Sequence, residues 1–408
     1  VNTPHQPPIR VGIIGVSGYA GLLADCVQRH VDAGHAHWIA AAGLKTPADI
    51  ARCEILARQG AHIHTDWREL IDQHAGQLDL LMIPTAIHVH REMTEYALAR
   101  GLRVFMEKPL AATYADARAI CEANRLSQGE LVIGYQNLYC ESTHQIKRYI
   151  LEGRLGKIQS MRALALWPRP ASYYSRNGWA GRLSTGGKPV NDSPVNNALA
   201  HHINLLLFWA GSRPLETAHV EAIEGSLYRA RDIESFDTAS LRISTGQDYP
   251  LEFHGSHSTR EIFNPELHIL GSRGNVRWKT DQSIHIETPT GREVLSLPPA
   301  PELRDYTVSQ LMRWAAGEKI LCCTPGQALE QTHVVDLIHR HLPIRRIPDR
   351  FIDMDEGQPV VEGLPQAFQR RYLEGGCLRA GDTPWAESPA LALPAEKKSA
   401  SLADVAQG

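Results

Sequence analysis

Over the first part of the chain, short apolar runs alternate with stretches whose apolar residues recur at helical spacing. The runs at 9–14, 37–42, 78–83, 102–106 and 130–134 are predicted strands, and the stretches at 19–30, 47–59, 88–100 and 115–127 are predicted helices. Alternation of this kind builds a doubly wound parallel sheet with right-handed crossovers, here over residues 9–134. After a further helix at 142–152 the period changes. A loop rich in Gly, Arg and aromatics occupies 168–192, and a helix follows it. Alternating stretches at 218–223, 238–244, 251–257, 266–271, 274–279 and 285–288 then predict a large open sheet, mixed or antiparallel. Helices at 305–317 and 325–341 close this second, α+β domain, which is expected to span 135–345. Residues 1–8 are expected to form an arm, 346–375 a C-terminal extension, and 376–408, rich in Ala, Pro, Ser and Glu, a poorly ordered tail.

Bulk properties narrow the class. A chain of 408 residues holds two ordinary domains with separate cores. At 43% hydrophobic, 21% charged and a formal net charge of −3, it carries no bulk pull toward nucleic acid or anionic membrane. Its apolar stretches are far shorter than a bilayer span, and the opening VNTPHQPPIR lacks the basic-then-apolar layout of a secretory signal. Seven scattered cysteines, none in a C-x-x-C pair, argue against a disulfide framework and for a cytoplasmic protein. The twenty histidines include the close pairs His62/His64 and His88/His90, but no set of Cys or His has zinc-like spacing, and no metal is expected.

Chemistry enters with VGIIGVSGYAGLL, residues 11–23. A strand that breaks into glycines and opens a helix can set backbone N–H groups and a helix dipole against a pyrophosphate. Gly15, Gly18 and Gly21 are one residue more widely spaced than G-x-G-x-x-G; with Ser17 and Tyr19 they form the expected cofactor turn. The end of the second predicted strand, AAGLKTPAD, offers Lys45 and Thr46 where an acid would bind an NAD ribose. The cofactor is therefore expected to be NAD or NADP, with a lean to NADP. In GLRVFMEKPLA, residues 101–111, Glu107-Lys108-Pro109 directly follows a strand. A charged pair at a strand's carboxyl end lies on the rim where doubly wound sheets bind ligands. There Lys108 can donate to a substrate hydroxyl and take part in proton transfer.

Together these segments resemble the Gfo/Idh/MocA oxidoreductases. The resemblance rests on VGIIGVSGYAG, on MIPTAIHVHREMTEYALARGLRVFMEKPLA, on LVIGYQNLYCESTHQIKRYILEGRLGKIQSMRA and on SPVNNALAHHINLLLFWAG. It spans residues 9–211, with weaker likeness to near 342. It implies a Rossmann N-terminal domain and adds Pro84, Thr85 and His88 to the cofactor site. It implies hydride transfer between a nicotinamide and a secondary alcohol or ketone on a sugar, cyclitol or related polyol. It also implies a homodimer or homotetramer formed through the C-terminal sheet. Two rivals share the fold: a dinucleotide-binding sensor without turnover, and a reductase of a non-sugar substrate of biliverdin or dihydrodiol type. An acyl-phosphate reductase would need a nucleophilic cysteine, and Cys140 lacks a suitable setting.

In NDSPVNNALAHHINLLLFWAG a helix is expected to start at Ser193 as cap, with Pro194 at its first position, and to end at Gly211. Asn197 and His201, four apart, would share a face, with Asn204 close to it. His201 is the expected general base. The family's assisting acid is replaced by Asn197, and Asp192 is the other candidate for that part. Tyr173, Tyr174, Arg176, Asn177 and Trp179 supply the aromatic faces and donors that a polyhydroxyl ligand needs. Tyr135, Gln136 and His202 complete the expected substrate contacts. Lys108 and His201 are expected to serve one pocket.

Overall fold

The computed structural model describes residues 7–280 and 283–394. Of the expected arm only residues 7 and 8 are described, and residues 395–408 of the expected tail lie outside the described residues. The chain divides into two compact units. Val1–Ala111, Ala115–Glu141 and Pro298–Ala328 form the first; Ala112–Tyr114, Ser142–Leu297 and Leu329–Gly408 form the second.

The first unit is a six-stranded parallel sheet. Its elements are β1 (Ile9–Ile14), α1 (Tyr19–Asp32), β2 (Ala36–Ala42), α2 (Pro47–Arg58), β3 (His62–His64), α3 (Trp67–His74), β4 (Leu80–Ile83), α4 (His90–Leu98), β5 (Arg103–Met106), α5 (Tyr114–Leu126) and β6 (Glu130–Ile133). The strand order is β3-β2-β1-β4-β5-β6, so the winding reverses between β1 and β4, the switch point where such sheets take ligands. β1 and β4 read as continuous apolar runs because both faces are covered; Val11, Ile13, Leu80, Leu81, Met82 and Ile83 have no exposed surface. The predicted elements recur with ends shifted by a few residues. β3 and α3 were not anticipated, since β3 is three residues long and partly exposed and α3 carries only a short apolar stripe.

The division differs from the expected one at 298–328. Here α9 (Ala300–Ala315) follows the second sheet in sequence but packs on α1 of the first unit. The Arg29 guanidinium meets the Asp305 carboxylate there. The Cys323 carbonyl accepts from Ile133 N–H at 2.8 Å, extending the edge at β6.

The second unit holds α6 (Glu141–Leu151), β7 (Ile158–Leu166), α7 (Ala171–Ser175), the small hairpin β8 (Ser184–Thr185) and β9 (Lys188–Pro189), and α8 (Ala200–Ala210). Then come β10 (Val220–Arg229), β11 (Thr238–Thr245), β12 (Leu251–Ser256), β13 (Phe263–Gly271), β14 (Asn275–Lys279), β15 (Ser283–Thr288) and β16 (Gly291–Ser296). After α10 (Pro325–His341) follow β17 (Ile344–Arg346), β18 (Ile352–Asp355), β19 (Gln358–Val361), α11 (Leu364–Glu374) and β20 (Ala390–Ala392). Among the described residues ten of these strands build a mixed sheet, ordered β16-β15-β14-β13-β7-β12-β11-β10-β17, with β20 also on β10, while β18 pairs with β19 alone. Its centre is β7, parallel to β12 and antiparallel to β13. No strand was predicted there, because Met-Arg-Ala-Leu-Ala-Leu favours a helix by local propensity and only the sheet overrides it.

The centre of this sheet is packed on both sides. Over β7 and β12 both faces are covered. Side chains alternate across a strand: Phe253 and Gly255 face Leu199 and the start of α8, while His254 meets the Phe368 ring on α11 at 5.5 Å. Leu164, Leu166, Tyr228, Ile347, Val361, Leu364, Phe368, Leu378 and Trp385 form one core on that side. The tail was expected to lack order from 376, yet Leu378 and Trp385 are buried and β20 pairs with β10, because large apolar side chains in this segment find a sheet face to cover. No helix among the described residues is long and apolar enough to cross a membrane.

Candidate active site

The glycine turn closes the carboxyl end of β1. Gly15 has φ of 90°, and a Cβ there would sit 3.1 Å from the Pro84 carbonyl at the end of β4. Its N–H donates to Ala42 O at the end of β2 at 2.8 Å, so the turn is held on the β2 side and borders the switch point at Pro84. Gly18 caps α1 with φ of 60° and open space where a side chain would be. No side chain caps α1, and no acid lies in its first turn. Backbone N–H groups and the positive end of a 14-residue helix are thereby left for an anion. This fits a dinucleotide pyrophosphate held by Gly15, Ser17, Gly18 and Tyr19. At the end of β2, Lys45 is exposed. Thr46, by contrast, caps α2, its hydroxyl accepting from Asp49 N–H at 3.2 Å.

The Glu-Lys-Pro segment leaves the carboxyl end of β5. Glu107 is buried, and its Oε2 accepts from Lys108 N–H at 3.0 Å. A Cβ on Gly134 would come within 2.7 Å of the Glu107 carboxylate, so only glycine leaves room for it. Burial pushes this carboxyl up to about 7, against the opposing charge of Lys108. The sign follows. A carboxyl raised in the folded state stabilises below its ordinary value and loses that contribution as pH rises toward 7. Glu107→Gln is therefore expected to flatten the loss of thermal stability between pH 5 and pH 8, a difference of at most roughly 3 kcal/mol. Equal slopes for the two proteins would refute this.

Sequence reasoning paired His88 with the cofactor and passed over His90. His88 lies partly buried in a short 3-10 turn, Ile87–Val89. The His90 ring is fully buried between Pro109 O, 2.9 Å from Nδ1, and Thr85 O, 3.2 Å from Nε2. Burial lowers it to about 4, against the two carbonyls, which favour the charged ring; with its single N–H the neutral ring donates to one of them and packs against the other. Tyr135 and Gln136 belong to the same unit. Gln136 donates to the Tyr19 hydroxyl at 2.6 Å, while Tyr135 is only 1% exposed. Almost none of its surface is open. Cys140 is buried, and burial pushes its thiol up to about 11, unlike an activated nucleophile.

In the second unit α8 starts at Ala200, later than expected, with Leu199 as cap residue. Ser193 does not cap it; its hydroxyl oxygen is buried without a hydrogen-bond partner. Residues 193–199 form turns because their side chains compete for the backbone. Asn196 Nδ2 donates to Val190 O and Asn191 O, each at 3.1 Å. Asn197 Nδ2 donates to Asp192 Oδ1 at 2.9 Å. Asn197 thus does not share a helical face with His201, which is the second residue of the helix and half-buried. The buried Asp192 binds loop 168–192 together, accepting from Gly181 N–H at 2.7 Å with Arg176 at 3.9 Å. His202 is 4% exposed, edge-on to Trp167 and Trp278, and lowered to about 4 by burial.

The same loop gathers the other predicted contacts. Arg176 lies 3.7 Å over the Tyr173 ring and 5.2 Å from that of Trp179. Asn177 Oδ1 accepts from Trp179 N–H at 3.1 Å and Ala180 N–H at 2.8 Å, shaping the turn. The Tyr174 hydroxyl is 3.0 Å from His257 Nδ1, and Arg231 covers its ring at 4.9 Å. No sequence signal singled out His257 or Arg231. Lys147 on α6, also unforeseen, donates to the α8 carbonyls Phe208 O and Gly211 O and holds the far end of that helix.

Comparison with known proteins places these features. Residues 9–135 match the oxidoreductase family with an NAD-binding Rossmann fold, and residues 143–277 match the GFO/IDH/MocA C-terminal domain. Inositol 2-dehydrogenase of Rhizobium meliloti is 22% identical over 316 residues, 76% of this chain and 86% of its own length. The WlbA dehydrogenase from Bordetella pertussis, solved with NADH and UDP-GlcNAcA, superposes with a TM-score of 0.65 at 20% identity, covering 82% of this chain and 96% of that one. Levoglucosan dehydrogenase, solved with NADH and L-sorbose, gives a TM-score of 0.66 at 16% identity, over 81% and 96%. At these identities the two structures establish the fold alone.

Proposed function

The chain belongs to the Gfo/Idh/MocA family of NAD-binding oxidoreductases, and we propose that it interconverts a secondary alcohol and a ketone on a sugar, cyclitol or related polyol. The observation that carries this reading is Lys108, fixed at the carboxyl end of β5 by the Glu107 carboxylate before it and by His90 behind Pro109. A nicotinamide dinucleotide bound at the glycine turn supplies the hydride acceptor or donor. Lys108 donates a hydrogen bond to the reacting oxygen and lowers the cost of negative charge on it. His201 takes the hydroxyl proton during oxidation and returns it during reduction. Tyr173, Arg176 and Trp179 offer ring faces and N–H donors to the polyol, and Asp192 with Asn177 keeps their loop in shape. For NADP, Lys45 is the cation proposed to meet the 2′-phosphate.

The test is reduced-nicotinamide absorbance with NAD+ and NADP+ against a panel of inositols, aldoses, anhydro-sugars and sugar acids. Turnover of at least one polyol is expected, with His201→Asn at roughly 1% or less of wild-type kcat. Tight NADH binding with no turnover anywhere in the panel would favour the sensor reading instead. Lys45→Ala is expected to raise KM for NADP+ and leave that for NAD+ unchanged.

A further inference from the structure

Away from these residues, the second unit brings together His219, Glu330 and His333. His219 precedes β10; Glu330 and His333 are one turn apart on α10. One ligand atom from each lies within 4.8 Å of the other two. We propose that these three side chains bind a divalent transition metal of the zinc class, and that the ion clips the start of β10 to α10.

The spacing of the three side chains admits an ion. A tetrahedral ion with bonds of about 2.0–2.1 Å separates its ligand atoms by about 3.3 Å. His219 Nδ1 lies 3.1 Å from Glu330 Oε1, and His333 Nδ1 lies 3.3 Å from Glu330 Oε2. Each imidazole ligates through Nδ1 when its hydrogen is on Nε2, and the cation then takes the place of the hydrogens now shared with the carboxylate. Two imidazoles and one carboxylate suit zinc, cobalt or nickel and disfavour calcium and magnesium, which call for all-oxygen shells. The surroundings hold the donors in place. Val220 N–H donates to Glu330 Oε2 at 2.9 Å, and the Tyr114 ring stacks on His333 at 4.1 Å. His219 is half exposed, giving an entry path and leaving a fourth position for water or an exogenous ligand. Sequence spacing could not reveal the set, since His219 and Glu330 are 111 residues apart.

The test is titration of the full-length, chelator-treated chain with Co2+, followed by its visible spectrum. One equivalent with the intense bands of a four-coordinate ion is expected, displaced by Zn2+ and not by Mg2+. His219→Ala, at an exposed position, and the isosteric Glu330→Gln are each expected to weaken Co2+ binding roughly 100-fold while keeping the wild-type circular dichroism. The proposal falls if the wild-type chain takes up no stoichiometric four-coordinate Co2+, or if both variants bind it with wild-type affinity and spectrum. The readout does not depend on dehydrogenase activity, so the outcome is separate from the fate of the proposed function.

Discussion

Lys108→Met is expected to lower kcat on the preferred polyol by about 10²–10⁴-fold, the range for removing a positioned acid–base group, while the Kd for NADH changes by no more than about threefold. Methionine keeps the length and apolar stem of lysine and removes only the ammonium. Glu107, His90 and Pro109 act on the backbone of this segment, so the variant should keep the local fold. The pattern of the loss matters. If Lys108 serves the transition state, kcat falls more than KM rises; if it only binds ground-state substrate, KM alone rises. A variant that keeps more than a tenth of wild-type kcat would remove Lys108 from the chemistry. Single-turnover hydride transfer, followed at the nicotinamide, separates this from a change in product release.

Phe368→Ala is expected to destabilise the second unit by about 3–5 kcal/mol, the cost of a large aromatic removed from a close-packed core. Phe368 has no exposed surface and lies among Leu164, Leu166, Ile347 and Leu364. Leu373→Ala on the same helix is the control. Leu373 is 73% exposed, and the change is expected to stay within about 0.5 kcal/mol. Thermal melts of the two variants, with proteolysis to follow release of residues beyond 345, check the pair. Equal melting temperatures would mean that α11 adds nothing to the unit's stability.

The first unit was readable because its physics is local. Buried parallel strands are continuous apolar runs, glycines mark the phosphate turn, and Glu-Lys-Pro sits where a strand must end. The second unit was readable only where strands alternate. β7 escaped because its identity as a strand is imposed by neighbours ninety residues away, as its pairing of Arg162 with Glu252 shows. The start of α8 was misplaced because Ser193-Pro194 is a sound helix opening taken alone, and only Val190 O, Asn191 O and the Asp192 carboxylate, engaging Asn196 and Asn197, make it a turn. His90 shows the same limit within the site. A buried histidine between two carbonyls carries no mark in the sequence that separates it from His88, two positions earlier.

The margin of the large sheet at β10 has a consequence for how this chain meets others. β17 runs parallel along Leu227–Arg229 and β20 runs antiparallel along Ile223–Gly225. Two fragments of three residues each, one just after α10 and one beyond α11, divide one border between them. Amides and carbonyls that could have templated an incoming ribbon are already spoken for. Fibrillar growth and strand exchange at this border would first have to peel away residues of the same polypeptide. An incoming strand meets these two short fragments there and not the long backbone of β10.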